Sequence, residues 1–199
     1  MSFSADARWL ALANEAAGRL EIVDTQTGEL TRQFESRSCV HALFSPSGDV
    51  LAFDALVDLP SIGRELRLID WPSEKLRAKV PSRSAYTGTQ AFSPDGRWLA
   101  VSADRTVQLY DARTGQLIHE LFGHRGDIRD VNFSPDSRRL VTAGGDACVK
   151  LWHVSTGQHL LEFSCSSSQS PATGTQFTAD GCWLVFTTTE QMMHFICLK

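Results

Sequence analysis

Apolar residues come in short runs along this chain, and small polar residues fill the gaps between them. The runs WLAVSA (Trp98–Ala103), TVQLYD (Thr106–Asp111) and RLVTAG (Arg139–Gly144) are bounded by Gly, Pro, Asp and Ser. Runs this short between turn residues predict strands, not helices. No segment sustains a 3.6-residue period between caps, so no helix of consequence is expected. The gaps themselves repeat. One phrase occurs as FSADA at Phe3, FSPSG at Phe44, FSPDG at Phe92, FSPDS at Phe133 and FTADG at Phe177, with phenylalanines 41, 48, 41 and 44 residues apart. A second phrase is interleaved: DTQTGEL from Asp24, DARTGQL from Asp111, HVSTGQHL from His153, and the divergent DWPSEKL from Asp70. In the first phrase Pro presets φ for a turn corner, Asp can accept from its own backbone, and Gly takes positive φ. It predicts a tight link between antiparallel strands, and the Thr-Gly step predicts the next. Two such marks alternating in the low forties predict a repeat array with one four-stranded blade per repeat.

Composition adds exclusions. At 199 residues, with 42% hydrophobic and 21% charged residues, the chain has the balance of a globular protein with a sizeable core. Nineteen Lys+Arg against 23 Asp+Glu give a net charge of -4, which is no electrostatic footprint for non-specific nucleic-acid binding. No apolar run approaches the ~20 residues that span a bilayer, so no membrane partner is expected. The start MSFSADARWLALANEAAGRL lacks the basic opening and unbroken apolar stretch of a secretory signal. Cys39, Cys148, Cys165, Cys182 and Cys197 show no CxxC spacing, which suggests neither a disulfide framework nor a zinc site. A reducing compartment follows, and the cytoplasm is the expected location.

The clearest copy, residues 123–152, reads GHRGDIRDVNFSPDSRRLVTAGGDACVKLW. Its Gly-His start, the inner-strand positions Ile128, Val131 and Phe133, the turn Asp and the strand-ending Trp152 resemble the WD40 β-propeller family. The likeness covers essentially the whole chain. It departs at His153, where the family has the Asp of a Trp-Asp pair, and at Val23, Ile69 and Tyr110, which fill the Trp slot before Asp24, Asp70 and Asp111. Phrases such as FSPSGDVLAF are also similar to TolB-like propellers, but the Gly-His pair, the Trp and the Thr-Gly hairpins favour WD40.

The resemblance implies an all-β propeller of about five four-stranded antiparallel blades, approximately residues 1–34, 35–80, 81–121, 122–163 and 164–199 of a single segment. Each blade runs from inner strand a through b and c to outer strand d. The first phrase joins a to b, and the Thr-Gly phrase joins c to d. The first blade is expected to begin at strand b (residues 9–13). The last is expected to carry a (173–177), b (Trp183–Thr188) and c (193–198) without d. That count of 18 strands predicts an open arc, the last five blades of a ring of about seven, or a half-ring that completes itself by oligomerising. Incomplete terminal blades would expose unpaired edges that invite self-association.

Asp146, His124 and Thr142 are the residue types of a nucleophilic triad. The resemblance instead implies a structural tetrad of His124, Thr142, Asp146 and Trp152. The indole N–H can only donate, so it occupies a lone pair of the hydroxyl, while Asp fixes the His tautomer. The six histidines show no metal-binding spacing and no phosphate loop appears, so neither metal nor cofactor is expected. Gly144 and Gly145 read as a b–c turn. Trp9, Trp98 and Trp183 each open strand b, which predicts a repeated core role.

By the same resemblance, the b–c turns and the loops before inner strands share one rim, the usual partner-binding face. Arg37, Arg83, Arg105, Arg125 and Arg129 are placed there, and arginine suits interfaces and bidentate anion contacts. Against this, the chain is Arg-rich throughout, with 15 Arg and 4 Lys. The apolar b–c connection at residues 55–63 reads as a long functional loop, and the Ser-rich stretch 164–172 as a flexible connector. The function expected is a non-catalytic scaffold that binds other proteins or peptides. The alternative is a propeller enzyme, hydrolase or lyase, with a central-channel site. The inner strands offer it only His41, Arg129 and Asp130 and no paired carboxylates.

Overall fold

The computed structural model describes residues 1–36, 41–57, 63–81, 88–164, 170–190 and 192–198. Every regular element among them is a β-strand, and no helix is long and apolar enough to cross a membrane. The strands form five antiparallel sheets, each a meander in chain order. The chain divides into two compact units, residues 1–87 with 112–116, and residues 88–111 with 117–199.

The first sheet holds β1 (Ser2–Phe3), β2 (Trp9–Asn14), β3 (Arg19–Asp24) and β4 (Leu30–Glu35). It has four strands, not the expected three: Ser2 and Phe3 pair with Ala11 and Leu10. Two residues suffice because Ser4 closes the turn behind them. The second sheet holds β5 (Ala42–Phe44), β6 (Val50–Val57), β7 (Gly63–Asp70) and β8 (Lys75–Pro81). Here the expected loop at residues 55–63 is partly strand. Pairing runs on to Ala55–Glu65, Leu56–Arg64 and Val57–Gly63, so the apolar run extends the hairpin, and residues 58–62 lie outside the described residues. The core of this unit lies between its sheets. Leu20 and Ile22 meet Leu51, Phe53, Ile69 and Trp71.

The second unit begins with β9 (Gln90–Phe92), β10 (Trp98–Ala103), β11 (Thr106–Asp111) and β12 (Leu117–Leu121). The fourth sheet holds β13 (Ile128–Phe133), β14 (Arg139–Gly144), β15 (Cys148–His153) and β16 (His159–Ser164). The fifth holds β17 (Ala172–Phe177), β18 (Trp183–Thr188) and β19 (Met193–Cys197) and, among the described residues, has three strands. One cluster joins the third and fourth sheets through Trp98, Leu109, Phe133, Leu140 and Trp152, and another joins the fourth and fifth through Val141, Leu151, Phe177 and Leu184. The fourth sheet is thus packed on both faces, and β14 is buried over five of its six residues. The Ser-rich connector lies mostly outside the described residues, at 165–169.

The repeated turn phrase has one physical form. In the third sheet Ser93 N–H donates to Trp98 O at 2.9 Å, Trp98 N–H donates back to Ser93 Oγ at 2.9 Å, and Ser93 Oγ donates to Asp95 at 2.5 Å. Ser4, Ser45, Ser134 and Thr178 close their turns the same way, each accepting from the amide five residues on. The c–d pairing carries a second repeat, a register shift beside Val23, Ile69, Tyr110 and Trp152. These bulges, which kink and twist the outer hairpin, were not foreseen from the sequence.

Candidate functional site

Within the fourth sheet, Thr142 on β14 and Trp152 on β15 face His124 from the β12–β13 loop. Trp152 Nε1 donates to Thr142 Oγ1 at 3.0 Å, and His124 Nε2 stands 2.8 Å from the same hydroxyl. His124 Nδ1 lies 3.0 and 3.1 Å from the two carboxylate oxygens of Asp146. The donors fix the direction. A carboxylate can only accept, so Nδ1 carries the proton, Nε2 accepts from Thr142, and Thr142 accepts from the indole. The chain of bonds ends on Asp146, and it needs a neutral imidazole. Burial pulls the His124 pKa below its ordinary value, with Asp146 only partly opposing it. Burial pushes the Asp146 carboxyl the other way. It is outweighed by hydrogen bonds from Arg125 N–H at 2.7 Å, from His124 and from Cys148 N–H, and the net pKa falls below the ordinary value.

Gly144 reads as a turn residue but ends β14, and its reason is this network. A Cβ there would stand 2.4 Å from both Asp146 Oδ1 and His124 Nδ1. Thr142 is fully buried and is already engaged by two partners, so its hydroxyl does not stand as an accessible nucleophile.

Asp146 also organises the loop that carries Arg125. Ile128 N–H donates to Asp104 O at 2.8 Å, and Gly145 N–H donates to Asp127 O at 2.8 Å. The β10–β11 turn, the β12–β13 loop and the β14–β15 turn are therefore tied together at one end of these sheets. Arg105, Arg125 and Arg129 all lie exposed there, and Arg129 Nε sits 3.7 Å from where a Gly145 Cβ would be. Among the described residues these three guanidinium groups have no ion-pair partner. Asp127 is exposed on the same loop, while Asp146 is committed to the tetrad. Arg37 and Arg83, expected on the same rim, lie outside the described residues.

The inner-strand residues divide. Asp130 Oδ2 accepts from Thr175 N–H at 2.6 Å and Thr175 Oγ1 at 2.9 Å, so this carboxylate ties β13 to β17. In the first unit, His41 Nδ1 lies 3.3 Å from Oδ2 of the fully buried Asp54, which also accepts from His41 N–H at 3.0 Å. Among the described residues no three His, Cys, Asp or Glu side chains gather as a metal site.

The three strand-opening tryptophans also divide. Trp98 is buried and Trp9 half-buried, but Trp183 is 42% exposed. The difference is packing: Trp98 joins the cluster shared with Phe133 and Trp152, and Trp9 packs against Trp71, whereas Trp183 belongs to neither of the two clusters described for the second unit. The expectation of a uniform core role fails there. Trp71, in the divergent DWPSEKL phrase, carried no expectation, yet it is buried and touches both Trp9 and Phe44.

Residues 87–111 and 115–153 match the family "WD domain, G-beta repeat". An uncharacterized WD repeat-containing protein of Synechocystis sp. is 30% identical over 138 residues, 69% of this chain and 37% of the relative. WD repeat-containing protein 1 of Rattus norvegicus is 34% identical over 101 residues, 49% of this chain and 17% of the relative. WD repeat-containing protein 62 of Mus musculus is 35% identical over 83 residues, 38% of this chain and 5% of the relative. The chain thus spans about a third of the first of these relatives and less of the others. With the repeated four-stranded sheets and the Trp-Thr-His-Asp network, these matches support a WD40-repeat family for this chain.

Proposed function

We propose that this chain is a non-catalytic scaffold that binds a protein or peptide partner through Arg105, Arg125 and Arg129, with the tetrad of His124, Thr142, Asp146 and Trp152 in a structural role. The observation that carries the reading is the gathering of three exposed arginines, without ion-pair partners among the described residues, on loops cross-linked by backbone hydrogen bonds. Guanidinium groups held on a rigid edge suit bidentate contact with carboxylates, so the partner segment is acidic. The match to a repeat family whose blades present wide surfaces supports the same reading, as does a buried, saturated hydroxyl at Thr142. Cytoplasmic placement is part of the proposal and is checked by imaging a tagged chain.

The test is a pull-down with mass spectrometry, followed by titration of the purified partner against the wild type and the triple charge reversal R105E/R125E/R129E. Exposed positions tolerate such changes within about 0.5 kcal/mol, so the fold should survive. Association should weaken, and its dependence on salt should flatten. Unchanged binding by a folded triple variant would return the arginines to ordinary surface.

One observation favours catalysis instead: the His41 imidazole is oriented by buried Asp54 while its side chain remains 40% exposed. A panel of esterase, lactonase and peptidase substrates, with H41A as control, decides that reading. Turnover lost in H41A would establish it, and absence of turnover in the wild type would end it.

A further inference from the structure

Where β13 meets the fifth sheet, a cavity of about 250 Å³ opens over β17, β18 and β19. Val185, Phe186 and Met193 give it an apolar wall, and Gln176 and Thr187 add oxygen acceptors. Gly174 keeps one side low: it pairs with Thr187, and a Cβ there would stand 3.1 Å from Thr187 Oγ1. Among the described residues, the one charged member of the wall is Asp130.

The two carboxylate oxygens of Asp130 differ. Oδ2 is saturated: it accepts from Thr175 N–H at 2.6 Å, from Thr175 Oγ1 at 2.9 Å and from Asn132 Nδ2 at 3.1 Å. Oδ1 accepts from no group among the described residues, and it is not sealed from solvent. Asp130 belongs to β13, whereas the rest of the wall belongs to β17, β18 and β19, and it reaches that wall through the carboxylate that bonds Thr175. Its charge stands uncompensated, since among the described residues Asp130 has no ion-pair partner. Arg129, its neighbour in sequence, has its Nε by Gly145 on the β14–β15 turn and is not part of the wall.

We propose that this cavity takes the side chain of a lysine presented by a partner peptide. A carboxylate held by three donors on one oxygen, with the other oxygen bare, calls for a cation. A guanidinium fork uses both oxygens of a carboxylate, and here Oδ2 is taken. An ammonium is a compact charge that needs only Oδ1, and its remaining donors have the Thr187 hydroxyl and the Gln176 carbonyl in the same wall. The four-carbon stem lies along the apolar side, as lysine stems do. The space is below the ~300 Å³ at which pockets for whole ligands begin, so it suits one side chain and not a free small molecule. This site is separate from the arginine rim and selects the opposite charge.

The test labels the methionine methyl groups of the full chain with ¹³C and titrates in the capped peptide acetyl-Gly-Lys-Gly-amide. The Met193 methyl signal should move while that of Met1 stays still. D130N keeps an oxygen to accept from Thr175 but removes the charge, and it should weaken binding about tenfold. The same peptide with arginine should bind more weakly than with lysine, and with norleucine or acetyl-lysine it should leave Met193 in place. No movement of Met193 up to about 10 mM peptide, ten times the Kd that ~4 kcal/mol sets, would overturn the proposal. So would equal binding by D130N, a tighter arginine peptide, or an equal shift from norleucine, which would mark a merely apolar hollow. The comparison of peptides on the wild type decides the matter even where D130N folds poorly. The peptide carries no carboxylate, so its failure leaves the reading of the arginine rim untouched.

Discussion

Asp146 serves two structures with one carboxylate: it accepts from the His124 imidazole, and it accepts from the Arg125 amide that opens the arginine-bearing loop. Removing it in D146A leaves a buried imidazole N–H and a backbone N–H unmatched, which should cost about 1–3 kcal/mol. Urea or thermal unfolding measures that loss. If D146A abolished partner binding or a measured activity with no change in melting temperature, the structural role would be wrong. His124 adds a dependence on pH. Its folded pKa lies below 6.5 because burial disfavours the imidazolium, so the unfolded chain binds the proton more readily. Stability is therefore complete above pH 6.5 and declines as pH falls from there toward the folded pKa. One proton allows at most about 1.4 kcal/mol per pH unit. Denaturant titrations at neutral and mildly acidic pH should show the decline, and H124Q should flatten it. An equal slope in H124Q would assign the effect elsewhere.

At the scale of an element, the c–d hairpins rest on a residue with positive φ four positions after Asp24, Asp70, Asp111 and His153: Gly28 at 74°, Glu74 at 60°, Gly115 at 70° and Gly157 at 68°. Gly28 has nothing within 4 Å of a Cβ, so G28A tests backbone strain alone and should destabilise by about 1 kcal/mol. At Gly157 a Cβ would stand 3.1 Å from the His119 ring, whose Nε2 meets Ser155 O at 3.0 Å. G157A should therefore cost more than G28A, about 2 kcal/mol, and the excess should vanish in an H119A background. A double-mutant cycle in urea measures both. This hairpin chemistry is legible in the Thr-Gly phrase itself, because a left-handed corner favours glycine, although Glu74 holds the same corner in the divergent copy. The bulges beside Val23, Ile69, Tyr110 and Trp152 are not legible, because a register shift depends on the partner strand, and no single strand's sequence states it.

For the molecule as a whole, the fifth sheet matters most for association. β19 stands at its edge, with Met193 58% and Phe195 62% exposed beside Met192 at 57%. An apolar edge strand is a template for pairing with another copy, so the isolated chain should form dimers or larger species. A lysine on the edge opposes this, and F195K should shift light scattering toward monomer without unfolding the sheet. A wild type that is monomeric at all concentrations would refute the expectation.

Phe-Ser-Pro-Asp-Gly and Thr-Gly, repeated in alternation, determined the strands of the third and fourth sheets to the residue at Trp98–Ala103, Thr106–Asp111 and Arg139–Gly144. They could do so because turn conformation is set within four or five residues, by φ, by a missing N–H and by a side chain bonding its own backbone. The set of His124, Thr142, Asp146 and Trp152 was implied only by the resemblance of the copy at residues 123–152 to the WD40 family, because the other copies hold Val23, Ile69 and Tyr110 in the Trp slot. The burial of Trp98 against the exposure of Trp183, the Asp130–Thr175 tie and the Trp9–Trp71 contact were decided only in three dimensions. In each case the same residue type meets a different neighbour, and which surface it meets depends on contacts across tens of residues of chain that no local pattern encodes.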